Sequence, residues 1–188
     1  MSKTALIVID MVYDFAHPNG LVYYEQNAEI LPRIRKVIDK CREKEVLIVF
    51  MQHSHRKDKY DKELTMVRKN CMEGTGGDEL MPELGYNEKT DYLIKKRRYS
   101  SFFGTDLDMV LREHKIENTI ICGTKTNCCI RATVHDAYLL NYNVIVPREC
   151  VATNSDVVNE VHLTDIHKYF GKVVSTDELF ALLDGGEL

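Results

Sequence analysis

Apolar residues along this chain fall in short, unbroken runs separated by longer amphipathic segments. Six runs, "TALIVID" (4–10), "EVLIVFM" (45–51), "DYLIKK" (91–96), "NTIICG" (118–123), "NVIVP" (143–147) and "KVVST" (172–176), are rich in β-branched residues. Runs this apolar, without polar alternation, suit strands buried on both faces, as in a parallel sheet. Between them, residues 27–44, 104–115, 126–142, 154–170 and 176–184 read as helices. In the first, Ile30, Ile34, Val37, Ile38 and Cys41 recur at helical spacing, and Lys, Arg and Glu occupy the other face. Strands alternating with helices imply βαβ units and right-handed crossovers. The expected fold is a doubly wound, Rossmann-like, three-layer α/β/α domain around a six-stranded, mainly parallel sheet. No repeat, low-complexity tract or linker divides the chain, so a single domain over residues 1–188 is expected.

The pattern breaks at residues 52–90, a long polar stretch containing "GTGGDELMPEL" (74–84). A compact domain rarely carries so long a connection without using it, so a lid or pocket wall is expected there, with the glycines of "GTGG" shaping it. In doubly wound sheets ligands bind beyond the carboxyl ends of the strands. That rule singles out Asp10, then His53 and His55, then Lys96, then Gly123 to Cys129. An acid, an amine and a thiol at three strand ends make a chemical constellation.

Cys128 and Cys129 follow a good N-cap, Asn127 or Thr126, which puts both in a first helical turn. Free backbone N–H groups and the positive end of the helix dipole stabilise a thiolate there. Periodicity does not choose between the two. Ala132 and Leu139 continue the face of Cys128, whereas Thr133, Asp136 and Leu140 continue the more polar face of Cys129. The C-x₂-C spacing of a zinc site is absent. Cys41, Cys71, Cys122 and Cys150 read as small core hydrophobes. Asp10 closes an apolar strand, where a carboxylate needs a partner. Lys96, set between that acid and a thiol, would hold the acid ionised and orient both. Lys95, Arg97 and Arg98 read as solvated charges and Asp14 as a loop cap.

Charge and composition narrow the function classes. A net charge of −4, without a long Lys/Arg block, argues against a nucleic-acid binder. No window approaches a membrane span, and the N-terminal apolar run is too short for a secretory signal. Six cysteines in a chain of 188 residues are not a disulfide scaffold, so reduced thiols in a cytoplasmic protein are expected.

The segments "ALIVIDMVYDF", "GTGGDELMPEL", "IKKRRYSSFFGTDLD" and "GTKTNCCIRATVHDAYLLNYNV" resemble the isochorismatase-like cysteine hydrolase superfamily. That group includes nicotinamidases, N-carbamoylsarcosine amidases and ureidoacrylate amidohydrolases. The resemblance implies a triad of Asp10, Lys96 and Cys129, with Cys128 where the family usually has a plain hydrophobe. It also implies a cis peptide before Lys125 and an oxyanion hole made by the backbone N–H groups of Lys125 and Cys129. The implied activity is hydrolysis of a small primary amide or N-carbamoyl compound through a thioester or thiocarbamate, releasing ammonia without a cofactor. Family members commonly form homodimers or homotetramers, and the same is expected here. Phe15, Tyr60 and Phe102 are the residues expected to read the substrate. Nicotinamidases carry a metal on a D-x-H motif and a further His. Here His53 replaces the Asp, His55 matches the first His, and no His follows before residue 114. Alternate residues at a strand end point to opposite faces, so no metal is expected. The alternatives are an isochorismatase- or nicotinamidase-type hydrolase, or a non-catalytic binding relative. Isochorismatases proper need no cysteine nucleophile, and the thiol therefore tilts the expectation toward amide chemistry.

Overall fold

The computed structural model describes residues 3–188. Its centre is a parallel sheet of strands β1 (Thr4–Ile9), β2 (Leu47–His53), β3 (Tyr92–Lys96), β4 (Asn118–Thr124), β5 (Asn143–Pro147), β6 (Val151–Ala152) and β7 (Lys172–Val174). The order is β3-β2-β1-β4-β5-β7, and β6 pairs with the end of β4. Six of the seven are the apolar runs. The seventh, β6, is a two-residue strand too short to leave a hydrophobic signature, and it lies off the path of the six expected strands.

Among the described residues six α-helices accompany the sheet: α1 (Tyr13–Ala16), α2 (Glu25–Glu43), α3 (Leu107–Glu113), α4 (Arg131–Leu139), α5 (Asp156–Tyr169) and α6 (Thr176–Asp184). Alternation along β1 decides the layers. Leu6 and Val8 face Ile30, Ile34 and Ile38 of α2 and Leu179 of α6. Ala5, Ile7 and Ile9 face Leu107 of α3, Val134 of α4 and Leu163 of α5. Both faces of β1 are therefore covered, and all six of its residues are buried.

Register places the chemistry. Ile9 pairs with Met51 on one side and Gly123 on the other, while His53 pairs with Lys96. Asp10, the last steps of β2 and β3, and the β4 exit thus lie side by side at one end of the sheet. Asp10 has φ 56°, a backbone conformation disfavoured for residues with a Cβ, and its N–H donates to Met51 O at 3.0 Å. Gly123 has φ +116°, and a Cβ there would lie 2.0 Å from Ile9 O, so only glycine lets β4 pass this close to β1.

The 52–90 stretch folds as loop with two 3₁₀ turns, Glu63–Thr65 and Pro82–Leu84. Isolated bridges pair His55 with Met72 and Val12 with Leu80. Buried Asp14 fastens it, accepting from Cys71 N at 2.7 Å and Leu21 N at 3.2 Å. The "GTGG" glycines turn the chain against Asp14, where a Cβ on Gly77 would clash with the carboxylate. The glycines do not line the cavity described below, but Glu63, Val67, Arg68 and Asn70 of the same stretch do, as expected of a pocket wall. No helix among the described residues is long and apolar enough to cross a membrane.

Candidate active site

At the carboxyl end of the sheet lies a cavity of about 690 Å³. Cys128 and Cys129 line it together with Lys125, Phe15, His53 and Glu63. Asp10 and Lys96 are fully buried behind these groups. Lys96 Nζ lies 2.8 Å from Asp10 Oδ2, 3.0 Å from Arg98 O and 3.2 Å from His53 Nδ1, and the Cys129 sulfur is near enough to bias its charge. One ammonium therefore joins the ends of β1, β2 and β3 beside the thiol after β4. Asp10 Oδ1 has no hydrogen-bond partner among the described residues, so one face of the carboxylate is free to take a proton. Burial pulls Lys96 toward its neutral form, but the Asp10 carboxylate and the Cys129 sulfur outweigh that and hold it above the ordinary lysine value.

The thiols sit on a π turn, Thr126–Ile130, that leads into α4. Lys125 precedes the turn, and neither Asn127 nor Thr126 caps it with a side chain, which corrects the capping expectation. The peptide between Thr124 and Lys125 is cis. The Lys125 N–H makes no hydrogen bond among the described residues. Cys129 lies in the first turn, where N–H groups lack helical partners. Thr133 Oγ1 donates to Cys129 O at 2.7 Å and accepts from Ser101 N at 3.0 Å, tying the turn to the segment after β3.

The two cysteines titrate as a pair. The neighbouring thiol, followed by burial, raises Cys129 while Lys96 pulls it down, and Cys128 is lowered in turn. Activation of Cys129 requires a base, and Asp10 is the carboxylate behind it. Removing the partner thiol in Cys128→Ala deletes the largest influence raising Cys129. The limb of the pH profile of kcat/KM that reports thiol ionisation is expected to move to lower pH, with the rate itself held within about tenfold. Burial pushes Cys41 and Cys150 up to about 12, as befits core residues, and none of the six cysteines is in a disulfide.

His53 and His55 do converge, against the expectation of opposite faces. The strand ends at His53 and the chain bends to pair His55 with Met72, which brings the two Nε2 atoms to 3.0 Å. Glu63 Oε1 lies 3.2 Å from His53 Nε2, and the three donors fall within 4.8 Å of one another. Three convergent donors of this kind resemble a metal site. Their hydrogen bonds argue otherwise. The Lys96 ammonium lies 3.2 Å from His53 Nδ1, and a proton donated there would leave Nε2 as the ring N–H without a lone pair for an ion. His55 Nδ1 meets Asp61 Oδ2 at 2.9 Å, leaving its Nε2 to accept from His53. The residues fit a hydrogen-bonded chain from Asp61 to Lys96, not a resident metal. Extended dialysis against EDTA is expected to leave activity unchanged; a loss restored by added zinc would contradict this assignment.

Of the residues expected to read the substrate, Phe15 lines the cavity, its ring 6.1 Å from that of His53. Tyr60 and Phe102 do not. Tyr60 is 84% exposed, because the loop turns Asp61 and Glu63 inward toward the histidines and leaves the tyrosine outside. Phe102 stacks on Tyr142 with ring centroids 5.9 Å apart, beside the core under α3 and α4. The walls also include Tyr24, Arg68, Asn70 and Asn154, none of which periodicity or motif spacing could flag.

The family model for the isochorismatase domain matches residues 4–178. A probable inactive nicotinamidase of Arabidopsis thaliana is 31% identical over 174 residues, covering 87% of this chain and 88% of that protein. An isochorismatase-like hydrolase from Alkaliphilus metalliredigens superposes with a TM-score of 0.89 at 32% identity, covering 96% of this chain and 98% of that one. An N-carbamoylsarcosine amidase from Thermoplasma acidophilum superposes with a TM-score of 0.83 at 32% identity, covering 94% and 98%. With the strand order, the site at the sheet's carboxyl end and the family match all in agreement, this chain belongs to the isochorismatase family.

Proposed function

We propose that this protein is a cysteine amidohydrolase that removes ammonia from a small primary amide or N-carbamoyl compound. The observation that carries the reading is the Asp10–Lys96–Cys129 cluster at the base of a single cavity. Asp10 takes the proton of Cys129, and the thiolate attacks the amide or ureido carbonyl. The oxyanion forms against the N–H groups of Lys125 and Cys129, each such donor being worth about 3–4 kcal/mol in other enzymes. Collapse breaks the C–N bond, and Asp10 returns its proton to the departing ammonia. Water, deprotonated by Asp10, then attacks the thioester or thiocarbamate and frees Cys129, which recovers its proton from Asp10. Lys96 keeps the buried carboxylate charged between these transfers.

The similarity to an N-carbamoylsarcosine amidase supports ureido or amide chemistry. The relative whose name marks it inactive would favour a non-catalytic role, but here acid, lysine and thiol are all present, the first two in contact and the thiol on the cavity wall beside them. Ammonia release from N-carbamoylsarcosine, other N-carbamoyl amino acids, nicotinamide, maleamate and ureidoacrylate tests the proposal. Turnover of at least one is expected. Release from none, by protein that is folded by circular dichroism, would count against it.

A further inference from the structure

We propose that Asp61 and His55 are positioning residues, which fix the ring tautomer of His53 so that Lys96 keeps an acceptor on that ring and stays set against Asp10. This rests on the amidohydrolase reading and adds to it what holds the lysine in place. An ammonium has three N–H donors, and three acceptors meet that of Lys96: Asp10 Oδ2 at 2.8 Å, Arg98 O at 3.0 Å and His53 Nδ1 at 3.2 Å. The carboxylate and the carbonyl can only accept. The imidazole is the variable partner, because either of its nitrogens can carry the ring proton.

A chain of contacts leading out to the surface decides which nitrogen that is. His53 and His55 are both buried, and their Nε2 atoms lie 3.0 Å apart. His55 Nδ1 lies 2.9 Å from Asp61 Oδ2. Through its other oxygen Asp61 accepts from Glu63 N at 3.0 Å and from Arg98 Nη1 at 3.2 Å. Burial raises the Asp61 carboxyl, but the bonds from His55 and Glu63 N outweigh that and hold it below the ordinary carboxylate value. The chain therefore ends in a carboxylate, which only accepts, and in an ammonium, which only donates. Between such ends, with one proton on each ring, a single placement satisfies every contact. His55 carries its proton on Nδ1 and His53 on Nε2, which leaves His53 Nδ1 to accept from Lys96. Glu63 Oε1, 3.2 Å from His53 Nε2, is a second acceptor for that same proton. Arg98 closes the circuit, its carbonyl on Lys96 and its guanidinium on Asp61. With the tautomer reversed, His53 Nδ1–H would point at the ammonium and push Lys96 off its place beside Asp10. Neither His55 nor Asp61 lines the cavity, so both act through Lys96 rather than on the substrate.

Nitrogen NMR shifts of isotope-labelled histidine rings, which tell a protonated nitrogen from a bare one, test the tautomers without turnover. Near neutral pH, wild type is expected to show His53 protonated on Nε2 alone and His55 on Nδ1 alone. Asp61→Ala, at a partly exposed site, is expected to release both rings to mixed tautomers. Its kcat on an amide that wild type turns over is expected to fall about tenfold or more, with KM held within about threefold. Asp61→Glu, which restores a carboxylate acceptor, is expected to recover most of that rate and the wild-type tautomers. In wild type, a proton on His53 Nδ1, or two protons on either ring, would overturn the assignment. So would full kcat in Asp61→Ala, or a loss of rate with the tautomers unmoved, which would mark Asp61 as merely structural. Ammonia release from no amide would instead overturn the amidohydrolase reading, and the ring shifts would still decide the tautomers.

Discussion

Lys96→Met is expected to destabilise the fold by about 3–5 kcal/mol at neutral pH and to lower kcat/KM by about 10²-fold or more. Lys96 and Asp10 are both fully buried and 2.8 Å apart. Removing the ammonium leaves a carboxylate in the core without a counter-charge, the costly way to break a buried pair. The pH dependence follows from the direction of the lysine's shift. A lysine raised in the folded state stabilises the fold at every pH below its ordinary value of 10.5, and loses that contribution only as pH climbs through the higher folded value. Wild type therefore keeps this contribution intact from acid to mildly alkaline pH. In the variant, Asp10 can shed its uncompensated charge by binding a proton, so the deficit shrinks as pH is lowered. Urea denaturation of both proteins at pH 5 and pH 8 checks the sign. The double variant Asp10→Asn with Lys96→Met is expected to recover part of the lost stability while remaining inactive. A deficit that grows on acidification would refute the assignment of Lys96 as the carboxylate's partner.

Cys129→Ala is expected to reduce ammonia release about 10⁴-fold or more, because no other group completes the acyl transfer. Stability is expected to change far less than in Lys96→Met, since only a sulfur at the cavity floor is lost. Cys128→Ala is the internal control, a neighbouring thiol in the same cavity whose removal keeps turnover within about tenfold. Steady-state rates of the two variants, with thermal melts, separate loss of chemistry from loss of fold.

The architecture was legible because its strands are buried on both faces. Ala5 to Ile9 needed apolar side chains in both directions, and that continuity marks β1 in the sequence as clearly as in the fold. Helix α6 was legible to the residue because Ser175 and Glu178 form a capping box at its start. Asp10, Lys96 and the pair Cys128 and Cys129 could be singled out for a related reason, since polar groups at the ends of apolar strands have few roles other than chemistry, and the family resemblance then pointed to Cys129. The remainder depended on contacts that no local pattern encodes. Val151–Ala152 became a strand only because β4 offers it an edge. Glu63 and Arg68 lie in a polar loop without periodicity, and a chain bend after His53 brings Glu63 to the histidines. Tyr60 was plausible by composition, yet the carboxylates beside it won the inward positions.

The central claim is that Cys129 carries the substrate's acyl group during turnover. The most direct measurement is to quench the enzyme with acid while it turns over an N-carbamoyl substrate and to locate any added mass by fragmenting the peptide that holds Cys128 and Cys129. The account predicts an adduct on Cys129 with the mass of the substrate less ammonia, an N-substituted thiocarbamate, in wild type and in Cys128→Ala, and none in Cys129→Ala. Ammonia release without an adduct on Cys129, or with the adduct on Cys128, would contradict it.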